Sequence, residues 1–240
     1  MSKATGLAGY DAYEDQSLLA GGDEVGVILD VGANVGNTVE RYYFEYSRAR
    51  VHAFEPDPVT HETLARRFAE HPRVSTYCLA VADAPITQRF YVNKDKSTSS
   101  LLPRPAAGRR YFNRQGVLDE AIEVQTITLD GFCADNNLDH VDILKLDIQG
   151  GEVKALLGAQ DLLSMQKVDV IYTEVQFISL YEGAPLFHEL CEVLKGFGYA
   201  LYGLYDLVVA ENGQLRFADA IFIPPGVRER ILDRFEPESY

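Results

Sequence analysis

The apolar positions of this chain fall into short dense runs separated by amphipathic stretches. Val27, Ile28, Leu29 and Val31 form the first run, and Arg50 to Glu55 carries the second. Near-continuous runs of this kind predict parallel strands buried on both faces of a sheet. Val74 to Val81, Val141 to Asp147 and Val168 to Val175 read as three more. Between them, Asn37 to Arg48 bears Tyr42, Tyr43, Phe44 and Tyr46, enough aromatic surface to bury a helix. Asp57-Pro58 caps a helix through Glu70, with Val59, Leu64 and Phe68 inward, and His71-Pro72 stops it. Leu129-Asp130 opens a short helix through Asn136. Gly150-Gly151 turns into a helix carrying Val153, Leu156 and Leu157, and Pro185 to Lys195 has Leu186, Leu190 and Leu194 on one face. Gly198 to Leu204 and Gln214 to Ile223 predict an antiparallel pair joined through Asn212-Gly213. The sum is an α/β fold: a doubly wound, mostly parallel seven-stranded sheet with a terminal antiparallel strand.

One domain over 25–224 accounts for the pattern, with an inserted loop at about 93–122 and a tail at 225–240. The loop lies between short strands at Gln88 to Val92 and Val124 to Leu129, and a loop this long in a compact domain is functional or disordered. Residues 1–24 lack sustained periodicity and read as a loose arm or partial lid. There Tyr10 and Tyr13 either close over a ligand or belong to a surface tail.

Charge narrows the function. A net charge of −14 and a pI of about 4.7 argue against a general binder of phosphate backbones, so no nucleic acid partner is expected. No apolar run approaches the length of a membrane span, and the first 23 residues are polar and acidic, unlike a signal peptide, which makes the cytoplasm the expected compartment. Cys78, Cys133 and Cys191 form no C-x-x-C pair and read as reduced structural thiols. Homodimerisation through the aromatic surface is compatible with the sequence.

The candidate chemistry gathers at strand ends. The first strand runs into Gly32-Ala33-Asn34-Val35-Gly36 and then a helix beginning at Asn37, a turn whose free N–H groups suit a carboxylate or phosphate. Asn34 replaces the middle glycine of a dinucleotide fingerprint, which weakens a nicotinamide reading, and no P-loop motif is present. Asp30, Glu55, Asp147 and Glu174 fall at the carboxyl ends of strands, where ligands collect in such sheets. Glu55, followed by Pro56, is placed to accept hydrogen bonds from a ribose diol. Asp83 either receives an adenine amino group or simply opens the turn at Ala84-Pro85.

Three blocks in order, ILDVGANVG, AFEPDP at 53–58 and ILKLDIQGGE at 143–152, resemble the FkbM-type family of S-adenosylmethionine-dependent O-methyltransferases, over roughly Val25 to Pro224. The resemblance implies S-adenosyl-L-methionine as cofactor and a hydroxyl of a sugar, glycan or secondary metabolite as methyl acceptor. It also implies that hydroxyls of the Ser97 to Ser100 run, Ser99 and Ser100 among them, hold the methionine carboxylate. Gln149 departs from the glutamate more frequent in the family, which leaves the role of Glu152 open. The arginines at 104, 109, 110 and 114 either grip an anionic part of a substrate or are solvated.

Loss of a hydroxyl proton during transfer calls for a base within hydrogen-bond reach. Asp147 is the first candidate and Glu174 the second, on strands that can bring them together. They act directly, hold a divalent ion such as Mg²⁺, which is not favoured, or make structural contacts. His188 is a third candidate that could face the substrate, or a surface residue. An NAD-dependent oxidoreductase and a non-catalytic nucleotide-binding domain stand as competing readings.

Overall fold

A computed structural model describes residues 11–105 and 118–234. In chain order the elements are α1 (Ala12–Ala20), β1 (Val27–Val31), α2 (Asn37–Glu45), β2 (Arg50–Phe54), α3 (Pro58–Phe68), β3 (Val74–Tyr77), β4 (Ala80–Val81), β5 (Thr87–Asn93), β6 (Leu118–Ile127), α4 (Leu129–Asp135) and β7 (Val141–Leu146). They continue with α5 (Glu152–Leu157), α6 (Gln160–Ser164), β8 (Val168–Gln176), α7 (Phe187–Gly196), β9 (Ala200–Val209), β10 (Leu215–Ile223) and α8 (Pro225–Ile231). The main sheet has seven strands in the order β3-β2-β1-β7-β8-β10-β9. All its pairings are parallel except those of β10, which runs antiparallel to both neighbours. The doubly wound sheet expected from the sequence is the sheet observed.

Side chains alternate across this sheet and build a core on each face. Leu29, Val31, Leu144, Leu146 and Ile171 pack with α4, α5, α6 and α7 on one side. Ile28, Ile143, Val170 and Ile221 pack with α1, α2, α3 and α8 on the other. β1 has β2 on one flank and β7 on the other, so chain direction across the sheet reverses between β1 and β7, where a crevice opens at the strand ends.

The expected third strand breaks after Tyr77. β3 stays beside β2, while Ala80–Val81 crosses to a second, three-stranded sheet of order β4-β6-β5. The β2 side of the break is visible: Glu55 N–H still donates to Tyr77 O, but the next N–H on that side, of Asp57, turns back to the Glu55 carboxyl at 2.9 Å. Residues 12–20 are a helix rather than loose chain. Asp11 caps it by accepting from the Tyr13 N–H at 2.8 Å, and Gly21 ends it at φ +98°. Its buried face holds polar Asp15 and Gln16, which bond Tyr205 OH at 2.5 Å and Tyr42 OH at 2.8 Å. A partly polar buried face leaves no clean apolar period to read.

Two expected core positions turn outward. Val39, Tyr42 and Tyr46 are buried at helical spacing, whereas Phe44, two residues from Tyr42, faces the other way and is 73% exposed. Thr60, Leu64 and Phe68 form the buried stripe of α3, and Val59 lies off it, 65% exposed. Among the described residues no helix is long and apolar enough to cross a membrane.

Candidate active site

The turn after β1 is held by backbone and by a buried ion pair. Gly32 and Ala33 N–H both donate to Phe54 O, at 3.0 and 2.9 Å, and Asp147 N–H donates to Val31 O at 3.1 Å. A Cβ on Gly32 would stand 1.9 Å from the Asp147 carbonyl oxygen, and one on Gly36 would stand 2.3 Å from the Phe68 ring. Both glycines also have positive φ, +80° and +88°. Close approach to protein, on β7 and α3, therefore requires them. Beneath the turn, Lys145 Nζ lies 3.0 Å from Asp30 Oδ1 and donates to Gly32 O at 2.9 Å. Burial pulls this ammonium down, but Asp30 and Asp147 together hold it above its ordinary pKa.

Above the turn a cleft of about 600 Å³, open to solvent, runs from Glu55 to Asp147. Gly32, Asn34, Glu55 and Pro56 form one wall; Leu79, Ala80, Val81, Phe90 and Leu101 form an apolar side; Lys96, Ser97, Ser99, Ile148 and Gln149 complete it. Glu55 accepts from Asn34 N–H at 3.0 Å and from Asp57 N–H at 2.9 Å, one bond on each oxygen. A carboxylate has about four acceptor sites, so each oxygen keeps one for a ligand. Burial pushes the Glu55 carboxyl up to about 7 against those two bonds. Ser99 Oγ accepts from Asn93 N–H at 3.1 Å, and Lys96 Nζ reaches within 3.7 Å of Asp57 Oδ2, tying this side of the cleft to α3.

A second cavity opens on the opposite face of the sheet. Tyr13, Thr38, Lys145, Leu146, Asp147, Tyr172, Glu174 and Asp219 line it, so Asp147 borders both spaces. Tyr172 OH donates to Asp219 Oδ2 at 2.7 Å. Burial, with help from Asp147, pushes the Asp219 carboxyl up to about 6. Glu174 Oε1 is shielded from solvent with no hydrogen-bond partner among the described residues. Burial and the charges of Asp147, Glu152 and Asp219 drive its carboxyl well above the usual range.

The expected convergence of Asp147 and Glu174 is present, with an amide between them. Gln149 Nε2 lies 2.9 Å from Asp147 Oδ1 and 3.2 Å from Glu174 Oε2. A divalent ion between the acids would have to displace that donor, so the site does not fit the Mg²⁺ alternative. Among the described residues one group has ligand atoms close enough for a metal: His140, Asp142 and Asp169. It lies at the amino ends of β7 and β8 and is engaged elsewhere, Asp142 by the N–H groups of Gly26 and Val27 and Asp169 by Arg230 at 2.8 Å.

Of the sequence-derived candidates, Gly32, Asn34, Glu55, Pro56, Ser99 and Asp147 line the cleft, and Glu174 lines the second cavity. The others sit elsewhere. Asp30 is fully buried against Lys145. Gly36 packs on Phe68, and Asn37 accepts from Arg67 at 2.8 Å. Ser100 Oγ donates to Gln149 O at 2.8 Å and supports the loop from behind. Asp83 and His188 are exposed and border neither space. Glu152, left open by the sequence, accepts from Ile148 N–H at 3.0 Å and Gly150 N–H at 2.9 Å, pinning the loop between β7 and α5. Arg104 donates to Tyr181 OH at 3.2 Å, while Tyr10 and the arginines at 109, 110 and 114 lie outside the described residues. Lys145 and Asp219 went unflagged, although each is a charge set among the apolar residues of its strand.

Among the proteins this chain is similar to are three relatives. The 2-O-methyltransferase NoeI of Sinorhizobium fredii is 27% identical over 179 residues, 71% of this chain and 72% of NoeI. The 31-O-demethyl-FK506 methyltransferase FkbM of Streptomyces tacrolimicus is 26% identical, over 83% of this chain and 84% of its own length. The AMB antimetabolite synthetase AmbE of Pseudomonas aeruginosa is 27% identical over 88% of this chain, which spans 11% of that much longer protein. The profile of the Methyltransferase FkbM domain matches residues 30–201, and the chain belongs to that methyltransferase family.

Proposed function

We propose that this chain is an S-adenosylmethionine-dependent O-methyltransferase whose acceptor is a hydroxyl of a sugar, glycan or secondary metabolite. The observation that carries the reading is the shared wall: Asp147 ends the cleft that Glu55 begins and also borders the polar cavity beyond it. The residues fit the cofactor. Glu55 keeps an acceptor site on each oxygen for a ribose diol, and Leu79, Val81, Phe90 and Leu101 give an adenine an apolar seat. When bound, S-adenosylmethionine supplies a methyl carbon attached to a cationic sulfur. Asp147 takes the proton of the acceptor hydroxyl. Its side chain is 45% exposed, so a substrate can reach it, whereas Glu174 is shielded and bridged to Gln149. Holding oxygen and methyl in line supplies much of the rate in such transfers.

NoeI is named a 2-O-methyltransferase and FkbM a 31-O-demethyl-FK506 methyltransferase, which supports oxygen as the methylated atom. A methyltransferase family leaves the nicotinamide reading without support. The test is transfer of labelled methyl from S-adenosylmethionine to a panel of sugar, glycan and secondary-metabolite hydroxyls, with Asp147→Asn beside the wild type. Labelled product that falls at least about a hundredfold in the folded variant supports the reading. Cofactor binding without transfer to any member would favour a non-catalytic binding domain.

A further inference from the structure

Gln149 is the residue in the site with the least ordinary backbone. Its φ is +57°, a left-handed conformation that costs a side-chain-bearing residue about 1 kcal/mol or more and persists only where neighbours impose it. Here they do. Glu152 pins the N–H groups on either side, at Ile148 and Gly150, and Ser100 holds the Gln149 carbonyl. The loop thus spends strain to put one neutral amide between two acids.

The orientation of that amide is fixed from outside. Tyr181 is fully buried, and its OH lies 2.7 Å from Gln149 Oε1. Arg104 Nη2 donates to the same hydroxyl at 3.2 Å. With the Arg104 proton already on the phenol oxygen, the phenol proton points to an acceptor, Gln149 Oε1 or Thr98 O at 2.9 Å. The amide oxygen must then face Tyr181, because a flipped amide would set its carbonyl against two carboxyl groups. Both Nε2 protons are left for Asp147 and Glu174. The strap runs from Arg104 and Thr98, both within the inserted loop, through Tyr181 to the acids.

We propose that Gln149 is a positioning residue for methyl transfer: clamped by Tyr181, its amide fixes Asp147 at the seam of the two cavities and separates it from Glu174. The inference rests on the O-methyltransferase reading for its purpose, but the clamp itself is a property of the protein alone. Other groups also face Glu174: Lys145 and Asp147 from the end of β7, Glu152 from α5, Tyr172 from its own strand, Asp219 from β10 and Tyr181 from the loop after β8. A glutamate at 149 would place a further carboxyl group among acids already crowded together.

The test is a ¹³C-carboxyl NMR titration of Glu174 in the full cofactor-free chain, with calorimetry on S-adenosylhomocysteine, for the wild type, Gln149→Glu, Gln149→Met and Tyr181→Phe. The Glu174 midpoint should rise by about one pH unit in Gln149→Glu, and by less in Gln149→Met and Tyr181→Phe, which lose the donor or its clamp. S-adenosylhomocysteine affinity should stay within about threefold in Tyr181→Phe, whose side chain borders neither space. The pH limb of kcat, measured on the best hydroxyl acceptor of the panel, should move the same way. A Glu174 midpoint unchanged in Gln149→Glu overturns the proposal; should Gln149→Glu not fold, an unchanged midpoint in Tyr181→Phe overturns it equally. An affinity loss beyond tenfold would instead make Gln149 a cofactor contact. If the wild type ignores S-adenosylhomocysteine, the functional reading falls while the titration still decides the clamp.

Discussion

Lys145 is an ammonium buried at the centre of the sheet, 7% exposed, and its companion Asp30 has no exposure at all. Two charges taken out of water are tolerable only together, and removing one leaves the other uncompensated. Lys145→Met should therefore destabilise the protein by about 3–5 kcal/mol, and Asp30→Asn combined with Lys145→Met should recover most of that, read from urea unfolding midpoints. Glu55 gives a second residue-scale prediction. Burial pushes its carboxyl up to about 7, and protonation removes an acceptor from the wall proposed to face a ribose. Affinity for S-adenosylhomocysteine should fall several-fold from pH 8 to pH 6 in the wild type and stay flat in Glu55→Gln, by calorimetry at each pH. At this scale the sequence was partly legible. Asp30 drew notice by interrupting an apolar run, and the same test applied to Lys145 in ILKLD and Asp219 in FADAIF would have flagged both. What no single run could reveal is that Asp30 faces Lys145 rather than a ligand, since that pairing crosses two strands far apart in sequence.

At the scale of elements, the glycine turn was legible in position, and both glycines take the positive φ such a turn calls for, +80° and +88°. Hidden from the sequence was the packing: the Asp147 carbonyl and the Phe68 ring stand in the places a Cβ would take. Gly32→Ala should thus cost about 3 kcal/mol or more, combining a clash with backbone and left-handed strain. Gly183→Ala, at φ +73° with nothing within 4 Å, should cost only about 1 kcal/mol. Thermal unfolding of the two variants separates the cases. The helix at 12–20 escaped notice because its inward face mixes Ala12, Leu19 and Ala20 with Asp15 and Gln16, polar residues that accept from tyrosines of β9 and α2. The two-residue strand β4 escaped because it exists only through pairing with β6.

Across the whole molecule, stability should fall as pH rises through neutrality. Burial raises the carboxyls of Glu55 and Glu152 to about 7 and that of Asp219 to about 6, and lifts Glu174 as well. The folded state holds these protons more tightly than the unfolded chain does. Their contribution is complete below about pH 4.5 and is lost as pH climbs through 6 to 7. His140, raised mainly by Asp169, acts in the same direction. His52, lowered to about 4 by burial, opposes it, favouring the fold as pH rises. With four acids against one histidine, unfolding free energy should drop by roughly 2–5 kcal/mol between pH 5 and pH 7.5, read from urea midpoints. A flat profile would mean that the acids at the sheet edge are solvated.

The sheet order was the most legible feature of the molecule, because strands covered on both faces leave unbroken apolar runs and the helices between them do not. Less legible was the arrangement of the site into two spaces on opposite faces, which depends on where Asp147 leaves the sheet. On the proposed reading, both spaces take their meaning from Glu55, set to face the cofactor across the cleft. Calorimetry with S-adenosylhomocysteine on the wild type and Glu55→Ala tests that most directly: binding that weakens at least tenfold in a folded variant is the predicted result, and equal affinity for the two proteins would contradict it.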